Sequence, residues 1–113
     1  MPQVTIYHNP RCSKSRQTLA LLEDRDIAPE IVLYLETPPD EKTLRSLIEK
    51  LGIEAKSLIR GKEHRELGLE ETDDTDELIR RMSEHPQIIQ RPIVVVGSHA
   101  RLGRPPESVL EIL

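Results

Sequence analysis

Val4, Ile6 and Tyr7 lie in a short β-rich run, Leu19, Leu21 and Leu22 begin a helical stripe, and His8-Asn9-Pro10-Arg11-Cys12-Ser13-Lys14-Ser15-Arg16 joins the two. A strand period giving way to a helical one predicts a strand over residues 3–7, a loop, and a helix from 13 to about 25. Any fold of this chain must therefore set that polar loop where a strand ends and a helix begins. The loop holds the only cysteine of the chain. A helix N-terminus carries unsatisfied N–H groups and about half a positive charge, and Arg11, Lys14 and Arg16 add full charges, so the Cys12 thiol should ionise more easily than usual. A lone cysteine is more often a buried, inert small hydrophobe. Three cations within four residues of it, with Asn and Pro upstream, point instead to a reactive thiol in an electropositive site.

The rest of the chain predicts the scaffold around this loop. Ile31-Val32-Leu33-Tyr34-Leu35, after Pro29, reads as a second strand covered on both faces and parallel to the first, which makes a β-α-β unit. Thr37-Pro38-Pro39-Asp40 reads as a helix start, with Thr37 as N-cap and Pro38 at the first helical position. Leu44, Leu47, Ile48 and Leu51 follow at helical spacing, and Gly52 is a natural stop. Residues 55–60 and 63–67 suggest short helical pieces. The acidic run from Glu70 to Glu77 leads into Leu78, Ile79 and Met82 on one helical face. It reads as the solvated start of a helix, complementing the macrodipole, rather than as a metal or partner patch. Residues 93–96, a Gly97-Ser98 turn and residues 99–102 predict a hairpin. Pro105-Pro106-Glu107 opens a last helix bearing Val109, Leu110, Ile112 and Leu113. The order is β-α-β, a helical insertion over about residues 37–85, then β-β-α. This is an α/β, thioredoxin-like order in a single domain spanning residues 1–113, with the cysteine loop at the carboxyl end of the first strand, where open α/β sheets bind ligands.

Composition narrows the partners. The 113 residues suit one core, and with no Trp or Phe and only Tyr7 and Tyr34 that core must be aliphatic. A net charge of −4 argues against nucleic acid. No stretch approaches the roughly 18 apolar residues of a membrane span, and Met1-Pro2-Gln3 leads into a strand rather than a signal peptide. The expectation is a cytoplasmic monomer with its unpaired thiol kept reduced. His64, His85 and His99 are scattered without ligand spacing, so no metal site is expected.

Cys12-Ser13-Lys14-Ser15 is a C-x-x-S pattern that lacks the second thiol of a dithiol motif. Any mixed disulfide on Cys12 must be resolved by a thiol from outside the chain. A phosphatase cradle would need Arg six residues after the nucleophile, and that position is Thr18. Three distant arginines stand at element ends: Arg60 after Ser57-Leu58-Ile59, Arg91 before Pro92, and Arg104 before Pro105. The planar guanidinium fork suits tetrahedral oxyanions, and spacing alone does not say whether the three converge.

The chain resembles the short members of the ArsC-type, glutaredoxin-coupled arsenate reductases nearly from end to end. The resemblance rests on His8-Asn9-Pro10-x-Cys12-x-x-Ser15-Arg16, Tyr34-Leu35-Glu36-Thr37-Pro38-Pro39, Leu58-Ile59-Arg60, Glu66-Leu67-Gly68-Leu69, His85-Pro86, Arg91-Pro92-Ile93-Val94-Val95 and Arg104-Pro105. It implies a thioredoxin-like fold with a helical insertion, Cys12 as nucleophile, and Arg60, Arg91 and Arg104 as the oxyanion-binding trio. It also implies a cis Arg91-Pro92 bond. By the same resemblance, Cys12 attacks arsenate, glutathione serves as external thiol with no bound cofactor, and glutaredoxin resolves the mixed disulfide as arsenite leaves. His8 can support the thiolate or a proton transfer, Ser15 can donate a hydrogen bond to it, and Arg16 can lower its pKa. The loop departs from the family pattern where it reads Arg11-Cys12-Ser13-Lys14 instead of Cys-Gly-Thr. Two other readings fit the same residues: a monothiol glutaredoxin-like oxidoreductase whose whole site is C-x-x-S, and a Spx-like, non-catalytic partner of RNA polymerase.

Overall fold

The computed structural model describes residues 3–113, so the expectation attached to Met1 and Pro2 lies outside the described residues. The chain divides into two compact units, one built from residues 3–37 with Arg91–Leu113 and the other from Pro38–Gln90.

In the first unit, strands β1 (Val4–His8), β2 (Glu30–Leu33), β3 (Ile93–Val96) and β4 (His99–Leu102) form one sheet in the order β2-β1-β3-β4. β1 runs parallel to β2, with Ile6 beside Ile31, and antiparallel to β3, with Ile6 beside Val94. β3 and β4 form the expected hairpin. Helix α1 (Ser13–Asp24) and a 3-10 helix, Pro106–Ile112, pack on each other and on the sheet. Between them Ile6, Leu22, Val94 and Val109 are fully buried, surrounded by Val4, Leu19, Leu21, Ile27, Val96 and Ile112. With no Trp or Phe available, removal of these branched side chains from water, about 1.5–3 kcal/mol for each one fully buried, drives this unit together. This is the thioredoxin-like α/β arrangement.

Local expectations need correction in this unit. β2 stops at Leu33 and is not covered on both faces: Ile31 is 47% exposed, because β2 is an edge strand paired with β1 alone. Tyr34 and Leu35 lie in the following turn, the first buried and the second exposed. The last helix begins at Pro106, and Pro105 is its extended N-cap. A proline followed by proline is pushed out of the helical region by the second ring. Arg91-Pro92 is cis as the resemblance implied, and Arg104-Pro105 is cis as well.

The second unit contains α2 (Glu41–Leu51), a 3-10 turn at Ala55–Leu58, α3 (Gly61–Glu66), α4 (Thr75–Glu84) and a 3-10 turn at Pro86–Ile88. α4 packs against α2 and both 3-10 turns, and Leu44, Leu47, Leu58, Leu78, Ile79, Met82 and Ile88 are buried. α2 starts three residues later than Thr37-Pro38 suggests, and a proline that precedes proline is biased away from the helical region, which disfavours Pro38 as a first helical residue. Asp40 becomes the N-cap and accepts the Thr43 N–H at 2.7 Å. Gly52, at φ 68°, ends α2 as expected. The acidic run is a helix start: Asp74 caps α4, and Asp76 and Glu77 occupy its first turn. The unit runs on to Gln90 because Ile59 bridges Ile89, the Arg60 N–H donates to Ile88 O, and the Gln90 N–H donates to Leu58 O. Among the described residues no helix is long and apolar enough to cross a membrane.

Candidate active site

The chain leaves β1 through a loop organised by Asn9. Its Oδ1 accepts the Arg11 N–H and its carbonyl accepts the Cys12 N–H, both at 3.0 Å, the first being an Asx turn. The Asn9 N–H donates to Ser15 Oγ at 3.0 Å, and the same hydroxyl lies 2.6 Å from His8 Nδ1. His8, Asn9 and Ser15 are all buried. This network ties the end of β1 to the first turn of α1. Cys12 is thereby held as the N-cap of α1, with extended φ and ψ of −95° and 123°.

Cys12 is 9% exposed. Burial is the largest influence on its ionisation and pushes its pKa up; the Ser15 N–H, the hydrogen bond and charge of Arg91, and the Lys14 N–H together outweigh it and hold the thiol below its ordinary value. Sγ closes no regular cap hydrogen bond, so the two N–H groups act as the positive end of the helix rather than as a formal cap. Arg104 adds a second guanidinium: its Nη2 donates to Cys12 Sγ at 3.7 Å, and its Nε donates to the Arg91 carbonyl at 2.9 Å. The structure thus brings Cys12, Arg91 and Arg104 together with His8 and Ser15.

The roles expected of three neighbours are distributed differently. The Ser15 hydroxyl is engaged by His8 and Asn9, so the thiol meets the main-chain N–H of Ser15 instead. Arg16 reaches back to the Pro10 carbonyl at 2.9 Å, and its charge acts on His8. Burial first and Arg16 second hold the His8 imidazole below its ordinary pKa, so it is neutral at neutral pH. Arg11 is exposed. The charge that favours the thiolate comes from Arg91, remote in sequence, and not from the cations flanking Cys12. Asn9 is the residue whose part was missed, although an Asn before Pro with a small hydrophilic loop beyond it is the signature of a side chain that bonds the backbone two residues on.

Arg60 belongs to the Pro38–Gln90 unit. There it is the N-cap of α3, and its Nε pairs with the Glu63 carboxylate. Beside the cysteine loop, an open concavity of about 450 Å³ reaches His8, Pro10 and Arg11 and is bounded by Leu33, Leu35 and Glu36, so small solutes have access to this edge of the loop. Among the described residues no cluster of His, Cys, Asp or Glu could hold a metal ion. The arrangement offers a stabilised thiolate beside two guanidinium groups, which suits nucleophilic attack on an anionic centre.

Comparison with known proteins points the same way. The sequence model of the ArsC family matches residues 7–112. A protein of Escherichia coli K12 named "Uncharacterized protein YfgD" is 54% identical over 98% of this chain and 97% of its own length. An arsenate reductase of Haemophilus influenzae is 49% identical over 97% of this chain and 98% of its own. The solved structure of an arsenate reductase from Vibrio cholerae superposes with a TM-score of 0.90 at 50% identity, covering 99% of this chain and 98% of that one.

Proposed function

The chain belongs to the ArsC family, and from that premise we propose that it is an arsenate reductase whose nucleophile is Cys12. The observation that carries the reading is the placement of the Arg91 and Arg104 guanidinium groups against a thiol biased toward its thiolate. A thiolate alone repels an oxyanion; two cations beside the sulfur draw the oxyanion in and neutralise charge as the bond forms. Arg60, which ends Leu58-Ile59-Arg60, is the third oxyanion ligand by the family motif. His8 and Ser15 brace the loop, and burial together with the charge of Arg16 disfavours a proton on His8.

In this mechanism the Cys12 sulfur bonds arsenic and water leaves. Glutathione supplies the second thiol: two electrons pass to arsenic, As(V) becomes As(III), arsenite departs, and a Cys12–glutathione disulfide remains. With no other cysteine in the chain, glutaredoxin reduces that disulfide and restores the thiol. The protein acts as a cytoplasmic monomer, with glutathione as co-substrate and no bound cofactor. The test is arsenite production from arsenate by purified protein with glutathione and glutaredoxin, with Cys12→Ser and Arg91→Ala run alongside. Loss of activity in both variants is the expected result. Thiol transfer that survives Arg91→Ala intact, with no arsenite formed by the wild type, would replace the reading with a monothiol glutaredoxin-like one.

A further inference from the structure

Four of the five glycines answer to two different demands. Gly52, Gly68 and Gly97 sit at φ of 61–69°, and nothing lies within 4 Å of where a Cβ would stand. Gly103 is outside that left-handed region. A Cβ there would lie 2.4 Å from Thr18 Oγ1, 2.7 Å from Pro92 Cγ and 3.2 Å from Pro92 Cδ. Space, not backbone conformation, demands glycine at this position.

Each neighbour of Gly103 leads to the thiol. Its N–H donates to the Pro92 carbonyl at 3.0 Å, Pro92 follows Arg91, and Gly103 itself precedes Arg104. Thr18 is fully buried on α1, and its Oγ1 donates to the carbonyl of Lys14, in the turn whose N–H groups face Cys12. We propose that Gly103 is a positioning residue for the thiol site: its missing side chain lets the end of β4 and the entry to β3 close onto Thr18 of α1, and that closure sets where Arg91 and Arg104 stand against Cys12. Neither neighbour yields cheaply, since the Pro92 ring is rigid and the Thr18 side chain is fixed by its own hydrogen bond. A methyl group at residue 103 therefore moves the arginine-bearing segments away from α1. Hydrogen bonds to sulfur weaken steeply with such displacement.

The inference rests on Cys12 as the reacting thiol of the proposed function, and its test needs no arsenate. The rate of Cys12 alkylation by iodoacetamide is followed against pH in the wild type, Gly103→Ala and Thr18→Ala/Gly103→Ala, with circular dichroism and Tm measured in parallel. Gly103→Ala is expected to raise the midpoint by about half a pH unit or more, leaving about threefold less thiolate below it. The double variant, which reopens space on the α1 side, is expected to recover part of that shift. A folded Gly103→Ala with lowered Tm and an unmoved midpoint overturns the proposal, since a purely structural role would give that result. Should Gly103→Ala fail to fold, Thr18→Val, which turns a larger methyl toward Gly103, is read in the same way: a raised midpoint supports the proposal and an unmoved one overturns it. A wild-type midpoint at the ordinary cysteine value would sink the reading of Cys12 and this inference with it.

Discussion

Arginine serves two different ends in this protein. In Pro38–Gln90, Arg80 pairs with Glu77 at 2.7 Å and Glu84 at 3.0 Å, Arg81 pairs with Glu77 at 3.0 Å, and Arg45 pairs with Asp76 at 2.8 Å. In the sheet unit, Arg104 donates to a carbonyl and a thiol, and Arg91 hydrogen-bonds the same thiol. A guanidinium beside a carboxylate spends its field on that carboxylate. Beside a neutral sulfur, the same group shifts an ionisation and draws an incoming anion. Proximity to the cysteine in sequence is a poor guide to which arginines do this, as the engagement of Arg16 with Pro10 and His8 shows.

The largest effect expected is on the sulfur itself. Cys12→Ser should reduce arsenate turnover at least about a thousandfold, to background, in the coupled assay, because the hydroxyl is far less nucleophilic than the thiolate and cannot form the mixed disulfide. Next comes Arg104→Ala, for which kcat/KM for arsenate should fall about ten- to a hundredfold and the alkylation midpoint should rise, with Tm little changed. Arg81→Ala should show the reverse pattern. Arg81 is 6% exposed and bonds Glu77, His64 Nε2 and the Glu70 carbonyl, so its loss should cost about 2 kcal/mol in denaturant unfolding and leave the alkylation midpoint where it was. If the two arginines behaved alike, the contrast between them would collapse.

Much of this contrast was legible in the sequence. A strand, a cationic cysteine loop and a helix in immediate succession fix the thiol at a helix N-terminus, and Gly97-Ser98 between apolar runs gives the hairpin whose open end is flanked by Arg91 and Arg104. What was not legible depends on partners far along the chain. Ile31-Val32-Leu33 has the composition of a doubly covered strand, and only the sheet order makes it an edge. Ser15 looks like a donor to the thiol until Asn9 and His8 are seen to engage its hydroxyl. Gly103 follows a strand like any turn glycine, and nothing local reveals that Thr18, far upstream, closes on it. The helix starts at Asp40 and Pro106 are a different case. There the signal was present, since each involves a proline pair whose first member cannot be helical.

A smaller effect tests how the loop is braced. His8 is held below its ordinary pKa of 6.5, so the unfolded chain takes up a proton there more readily than the folded one. The stability this gives is full above about pH 6.5 and is lost as pH falls through the lower folded value. Asp40, Asp73 and Glu77, whose pKa values are also lowered, titrate in a more acidic window. Tm should therefore decline as pH falls below about 6.5, and His8→Asn should flatten that part of the curve. A slope unchanged in the variant would show that the brace does not depend on the neutral imidazole.

The smallest effect belongs to the cation that looks best connected. Arg80 bonds two glutamates through three of its nitrogens, more ionic contacts than either site arginine shows with the thiol. All of these contacts lie at the exposed surface of one helix, where water screens the attraction and ordering the long side chains offsets most of it. Arg80→Ala should leave arsenate turnover and the alkylation midpoint unchanged and move Tm by no more than the scatter between preparations, an outcome checked by running it beside Arg104→Ala. A loss of turnover in Arg80→Ala would mean that surface charge on α4 reaches the chemistry, and the division of labour between the two sets of arginines would then have to be redrawn.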